Sequence, residues 1–224
     1  MVRSRVKLIN NYIQAYNKQK IFGIGANKTG TTSLKIAMKD LGYIIGSQKK
    51  AEKFLYDWGK RDFHRIIKFC YSAQFFQDIP FSLPYTFIIL DQKFPGSKFI
   101  LTVRNNSEEW YNSLIKYHSK KWGSDNEIPK MKELKSSLYG TQGWAWDALD
   151  IACNVAEDDP YNKKHLIDYY DFHNRVVQEY FRERPNDLLI LNPAKTDAMK
   201  KLCDFFGLES YGKTFPKVNV TKEL

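Results

Sequence analysis

Apolar residues fall into short continuous runs that alternate with stretches of helical spacing. Residues 20–25, KIFGIG, have buried-strand character and lead into a glycine-containing loop. Leu34, Ala37, Met38 and Leu41 then recur at i, i+3, i+4 and i+7, which predicts a helix that stops at Gly42. A second short strand is expected at 43–45, and helices with apolar faces at 52–58 and 62–69. Residues 71–77 predict a strand running into Asp78-Ile79-Pro80, and 85–94 a helix ended by Pro95-Gly96. The strongest strand signal is 98–103, where Phe99, Ile100, Leu101 and Val103 stand in near-continuous order. Ser107 is the expected N-cap of the next helix, with Glu108 and Glu109 in its first turn. Trp110, Leu114 and Tyr117 share a face of that helix. From about 122 to 180 the pattern is helical and rich in Trp and Tyr, without strand signals. A last apolar run at 188–191 precedes a helix with Ala198, Met199, Leu202, Phe205 and Phe206 on one face. The alternation predicts an α/β fold around a mainly parallel sheet. No repeat or linker divides it, so one domain is expected over 1–224, with an N-terminal extension at 1–19 and a helical lobe at about 122–182.

Composition narrows the class. With 43% apolar and 15% aromatic residues, 224 residues can bury a sizeable core. A mean hydropathy of -0.52 and apolar runs as short as 87–90 and 99–101 speak against a membrane protein, since a span needs ~20 apolar residues. The first twenty residues interleave Arg3, Arg5 and Lys7 with scattered apolar residues and carry no secretory-signal pattern, so a cytoplasmic protein is expected. Cys70, Cys153 and Cys203 lie far apart among apolar neighbours, which predicts buried free thiols. The four histidines share no metal-ligand spacing, and no metal is expected. The net charge of +10 calls for an anionic partner. Its dispersal along the chain favours a pocket for a small polyanion over a nucleic-acid track.

The candidate chemistry begins at Gly25-Ala-Asn-Lys28-Thr29-Gly30-Thr31-Thr32-Ser33. A loop between a strand and a helix turns backbone N–H groups and the positive end of the helix dipole toward an anion. Gly25 and Gly30 keep the glycine spacing of an ATP-type phosphate loop, but Thr31 stands where that motif has its lysine. The lysine lies inside the loop, at Lys28, where it can neutralise a 5′-phosphosulfate and its bridging oxygen without a metal ion.

The segment 28–34, KTGTTSL, resembles the 5′-phosphosulfate loop of the sulfotransferases that use 3′-phosphoadenosine 5′-phosphosulfate (PAPS). A second element of that family follows in the expected order: a buried strand ending in Arg104, then a helix supplying Ser113 within WYNS. The resemblance is to the branch with TVR and WYxS motifs and extends from about residue 20 to 216. It implies a three-layer α/β phosphate-loop fold with the helical lobe on the acceptor side. It also implies a donor site in which Lys28, Thr29, Gly30, Thr31, Thr32 and Ser33 hold the 5′ end, while Arg104 and Ser113 hold the 3′-phosphate. Adenosine 3′,5′-bisphosphate would be the product. Three departures stand out, the first being that the glycine-rich C-terminal phosphate clamp of cytosolic members is missing. The arginine-to-serine spacing is one residue longer than in many members, leaving Asn112 as an alternative to Ser113. Ser33 also replaces a tryptophan that stacks on adenine in cytosolic members.

Transfer to a hydroxyl needs a group to take its proton. Asp78-Ile79-Pro80 stands where many members carry a histidine in an H-x-P segment, and Asp78 is the expected base unless it merely caps the Pro80 turn. His118 is the second choice, although lone helical histidines are more often partly exposed structural residues. His64, His165 and His173 have weaker claims, and Tyr139, Trp144 and Trp146 are candidates for the acceptor pocket that read first as core. The acceptor, a small molecule or a glycan, is not legible. Two other classes compete: a phosphate-loop kinase of small molecules, and a nucleotide- or RNA-binding protein without catalysis. The kinase would need a Mg²⁺-holding acidic strand end, where this chain has Arg104.

Overall fold

The computed structural model describes residues 13–210, 213–216 and 218. Residues 1–12, most of the expected N-terminal extension, lie outside them. Strands β1 (Ile21–Gly23), β2 (Phe75–Phe76), β3 (Lys98–Thr102) and β6 (Leu188–Leu191) form a parallel sheet in the order β2-β1-β3-β6. Strands β4 (Leu138–Tyr139) and β5 (Thr141–Gln142) pair separately as an antiparallel hairpin. The α-helices among the described residues run, in chain order, α1 (Thr31–Asp40), α2 (Gln48–Ala51), α3 (Leu55–Gly59), α4 (His64–Cys70), α5 (Thr86–Lys93), α6 (Ser107–Trp122), α7 (Met131–Ser136), α8 (Trp144–Cys153), α9 (Lys163–Tyr180) and α10 (Ala198–Phe205).

The period of two along each strand divides the core. Ile21, Phe75, Ile100 and Leu191 face one side, where they meet Leu34, Ala37 and Met38 of α1 and Met199 and Leu202 of α10. Phe22, Phe76, Phe99 and Leu101 face the other, against Phe87 and Leu90 of α5, Val177 of α9 and Phe181. Strands buried on both faces explain why 98–103 reads as an unbroken apolar run rather than an alternating one. The result is an α/β fold with helices on both faces of a parallel sheet. In chain order the strands leave β1 first toward β2 and then, on the other side, toward β3. Open α/β sheets bind ligands outside the carboxyl ends of the strands beside such a reversal.

Several expected elements differ locally. Residues 43–45 do not form a strand; Ile45 makes one isolated parallel bridge to Phe75. The strand expected at 71–77 shrinks to Phe75–Phe76, because Ser72 N–H bonds back to Phe69 C=O and closes a turn after α4. Helix α6 is capped by Asn106 rather than Ser107: Asn106 has extended backbone, and its Oδ1 accepts from Glu109 N–H at 2.7 Å. Within 122–180, where no strand was expected, the β4–β5 hairpin turns at Gly140, whose φ of 73° suits glycine. Cys70 and Cys203 are buried free thiols, whereas Cys153 is only partly buried. No helix among the described residues is long and apolar enough to cross a membrane.

Candidate active site

Three of the expected site residues lie just beyond the carboxyl ends of three different strands. Lys28 follows β1, Asp78 follows β2 and Arg104 follows β3. All three line one cavity of about 390 Å³. The loop after β1 is fastened to β3 from beneath. Thr29 is buried, and its hydroxyl donates to Ala26 C=O while lying 2.6 Å from the hydroxyl of Thr102. Thr29 therefore offers a ligand only its backbone. A Cβ on Gly25 would fall 2.2 Å from Thr102 Oγ1 and 2.4–2.5 Å from its backbone oxygen and nitrogen, so only glycine lets the loop pass. Gly25→Ala should lower stability by about 1–3 kcal/mol. A urea midpoint equal to wild type would contradict this packing.

Gly30 closes the loop as the N-cap of α1, with φ at 95° and no side-chain cap bond. The first turn of α1 carries no acidic residue. Its N–H groups and dipole are thus left for an anion. Thr31, Thr32 and Ser33 all line the cavity, and Ser33 Oγ also accepts from Val218 N–H at 3.4 Å.

The second element is fastened to the first. Arg104 Nε donates to Lys28 C=O at 2.7 Å and its Nη2 to Ser113 Oγ at 3.4 Å, while Nη1 meets Glu109 at 3.5 Å. Trp110 Nε1 donates to Asn27 C=O at 2.9 Å, and its ring stacks on Tyr170 at 4.5 Å. The Tyr170 hydroxyl in turn accepts from Arg104 N–H. The tryptophan and arginine of the second motif thus both end on carbonyls of the first. Ser113 shares the cavity with Arg104, whereas Asn112 is exposed on a separate surface groove.

Lys28 adopts a φ of 72° and Asp78 one of 56°, a region that non-glycine residues seldom occupy. Both strained residues face the cavity, where such strain tends to concentrate. Lys28 Nζ lies 3.4 Å above the ring of Tyr117. Burial first, then the charges of Arg104 and Lys121, push its pKa down to about 8 against an opposing pull from Asp78. Burial raises the pKa of Asp78, with hydrogen bonds from Thr31 and Gln77 acting against it. One Asp78 oxygen, Oδ1, is buried without a protein partner. His118 is partly buried on its helix and lines the same cavity. Its Nδ1 meets the Tyr161 hydroxyl at 2.8 Å, and burial with the nearby Lys28 and Lys121 drives its pKa down to about 3. A neutral imidazole so reluctant to protonate is a poor base. His173 is buried with Nε2 on Ile24 C=O, and His64 and His165 are exposed.

Glu52, which the sequence did not single out, also lines the cavity. Its Oε1 accepts from the Tyr139 hydroxyl at 3.1 Å and from Gln48 at 3.5 Å, and burial raises its pKa. Tyr139 and Trp144, which the pattern assigned to core, line the cavity as well, while Trp146 packs in a core cluster under Lys135. Ala145, Ala148, Leu149 and Ala152 of α8 extend the wall.

A loop bounded by glycines between a buried strand and an uncapped helix start, beside a reversal in strand order, defines an α/β protein of the phosphate-loop class. A family model for the sulfotransferase domain matches residues 20–224, and the chain belongs to the sulfotransferase family. No curated protein matches it.

Proposed function

We propose that this sulfotransferase takes its sulfuryl group from PAPS and delivers it to a hydroxyl or amine of a small-molecule or glycan acceptor. The observation that carries the reading is the joining of Lys28 and Arg104 in one cavity, with Arg104 bonded to the carbonyl of Lys28 itself. Two cationic grips on one cavity, one on a loop of free amides and one paired with a serine, suit a nucleotide with phosphate at both its 3′ and 5′ positions. In this reading the backbone of residues 29–32 and the start of α1 hold the 5′-phosphate, Ser33 lines the same side, and Arg104 with Ser113 holds the 3′-phosphate.

Transfer is in line. The acceptor oxygen forms a bond to sulfur while the bond from sulfur to the bridging oxygen breaks, its electron pair staying on the 5′-phosphate. Lys28 carries the charge that develops there, with no call on a metal ion. Asp78 takes the acceptor's proton. Its Oδ1 has no hydrogen-bond partner in the protein, whereas Oε1 of Glu52 already accepts two hydrogen bonds.

A thermal-shift comparison tests the donor. Adenosine 3′,5′-bisphosphate at 100 times its Kd should stabilise the protein by about 2.7 kcal/mol without metal. ATP with Mg²⁺ and RNA should each do far less. A larger response to ATP with Mg²⁺ would favour a kinase, and a salt-sensitive response to RNA alone a nucleic-acid binder.

A further inference from the structure

Beyond the loop the cavity is lined by two further lysines, Lys35 of α1, whose charge acts on Asp78, and Lys121 of α6. Lys121, in the last turn of α6, donates from Nζ to the Tyr117 hydroxyl at 2.9 Å. The same ammonium stands 4.1 Å from the ring centre of Tyr139, 5.2 Å from that of Tyr117 and 5.5 Å from that of Trp122. Lys28 lies over the face of the same Tyr117 ring. One phenol thus carries one ammonium on its face and a second at its hydroxyl. Tyr139, beneath Lys121, is the residue that bonds Glu52. Lys121 therefore occupies the space between the loop lysine and the far carboxylate, near both.

Two ammonium groups in one enclosed site repel each other, and their repulsion contributes to the lowered pKa of Lys28. With one N–H of its ammonium on the Tyr117 hydroxyl, Lys121 has further donors to offer a ligand. On the PAPS reading, the loop and Lys28 serve the 5′-phosphate and Arg104 serves the 3′-phosphate. Neither accounts for the oxygens of the sulfuryl group, which must pass from the loop toward the carboxylates. We infer that Lys121 grips the non-bridging sulfuryl oxygens, with Tyr117 and Tyr139 positioning its ammonium. This inference rests on the PAPS reading. As the acceptor oxygen bonds to sulfur and the bridging oxygen leaves with its electron pair, the three non-bridging oxygens stay on sulfur throughout. A cation placed on them serves both ends of the path.

The test uses calorimetric titration of the full chain, without acceptor, by PAPS and by adenosine 3′,5′-bisphosphate, which lacks the sulfuryl group. Lys121→Met should weaken PAPS by about tenfold, as expected for loss of a charge-assisted hydrogen bond, and the bisphosphate by less than twofold. Lys121→Arg should restore most of the PAPS affinity. Retained bisphosphate binding also shows that the variants are folded. Equal losses for the two ligands would make Lys121 a clamp joining α6 to the hairpin and would end the proposal. Unchanged PAPS affinity would end it too. If the wild type binds neither ligand, the donor reading itself fails.

Discussion

Lys28→Met is expected to remove nearly all sulfuryl transfer while raising the thermal stability of the ligand-free protein. The loss follows from its place: withdrawing a preorganised cation from a developing charge commonly costs 10²–10³-fold in rate. The gain follows from the sign of its pKa shift. With a pKa near 8 in the folded chain against 10.5 for an unperturbed lysine, the folded state resists the proton that the unfolded chain readily binds. At pH 7 the native protein carries this charge at a cost on the order of 3–4 kcal/mol, at 1.36 kcal/mol per pKa unit. Methionine keeps the contact with Tyr117 and removes the cost. Lost attraction to Asp78 offsets part of the gain, and a net ~1–2 kcal/mol corresponds to about 3–6 °C in a chain of this size. Between pH 8 and 10.5 the unfolded chain holds more protons at this site, so wild-type stability rises there relative to the variant. The gap in melting temperature should therefore be widest below pH 8 and close toward pH 10.5. A variant no more stable than wild type at pH 7 would show that Lys28 carries no such burden.

Asp78→Asn should lower the turnover rate by about 10²–10⁴-fold and leave the affinity for adenosine 3′,5′-bisphosphate within about threefold. Burial holds the Asp78 carboxyl above the ordinary carboxylate range. The wild-type rate should accordingly rise with pH through that raised value, as the ionised, proton-accepting form appears. The asparagine variant should lose this limb of the profile. Glu52→Gln is the companion measurement, with an expected loss of less than tenfold. The opposite ranking of the two variants would transfer the proton-accepting role to Glu52.

The sequence and the structure agree best where one physical signal dominates. The run from Phe99 to Val103 is legible because β3 is buried on both faces, and α1 is legible because Leu34, Ala37 and Met38 repeat at helical spacing. Lys28 is legible from the loop motif, and Asp78 and Arg104 from the family resemblance; all three come to one edge of the sheet because each stands a few residues past the end of a strand. Glu52 carries no such mark. It lies in a single 3₁₀ turn between two short helices, and its carboxylate enters the cavity only through packing against Tyr139 of a distant hairpin. Tyr117 was assigned to an apolar helix face, and nothing in its spacing announces that a lysine will rest on its ring. Trp144 is core and cavity wall at once, a double role that periodicity cannot distinguish. The two-residue strands of the hairpin are too short to show alternation. The cap of α6 fell one residue early because Asn106 and Ser107 are equally good caps by composition.

The cross-bracing of the first two motifs, with Trp110 and Arg104 both ending on carbonyls of the loop, has an evolutionary reading. On the proposed reading, the half of the site that would hold the nucleotide is hard to alter piecemeal, since changing one motif disturbs the other. The hairpin, by contrast, borders the cavity through Tyr139, whose hydroxyl bonds Glu52 and not the loop. If that reading holds, substitutions on the hairpin can reshape the acceptor side while the braced donor side keeps its form.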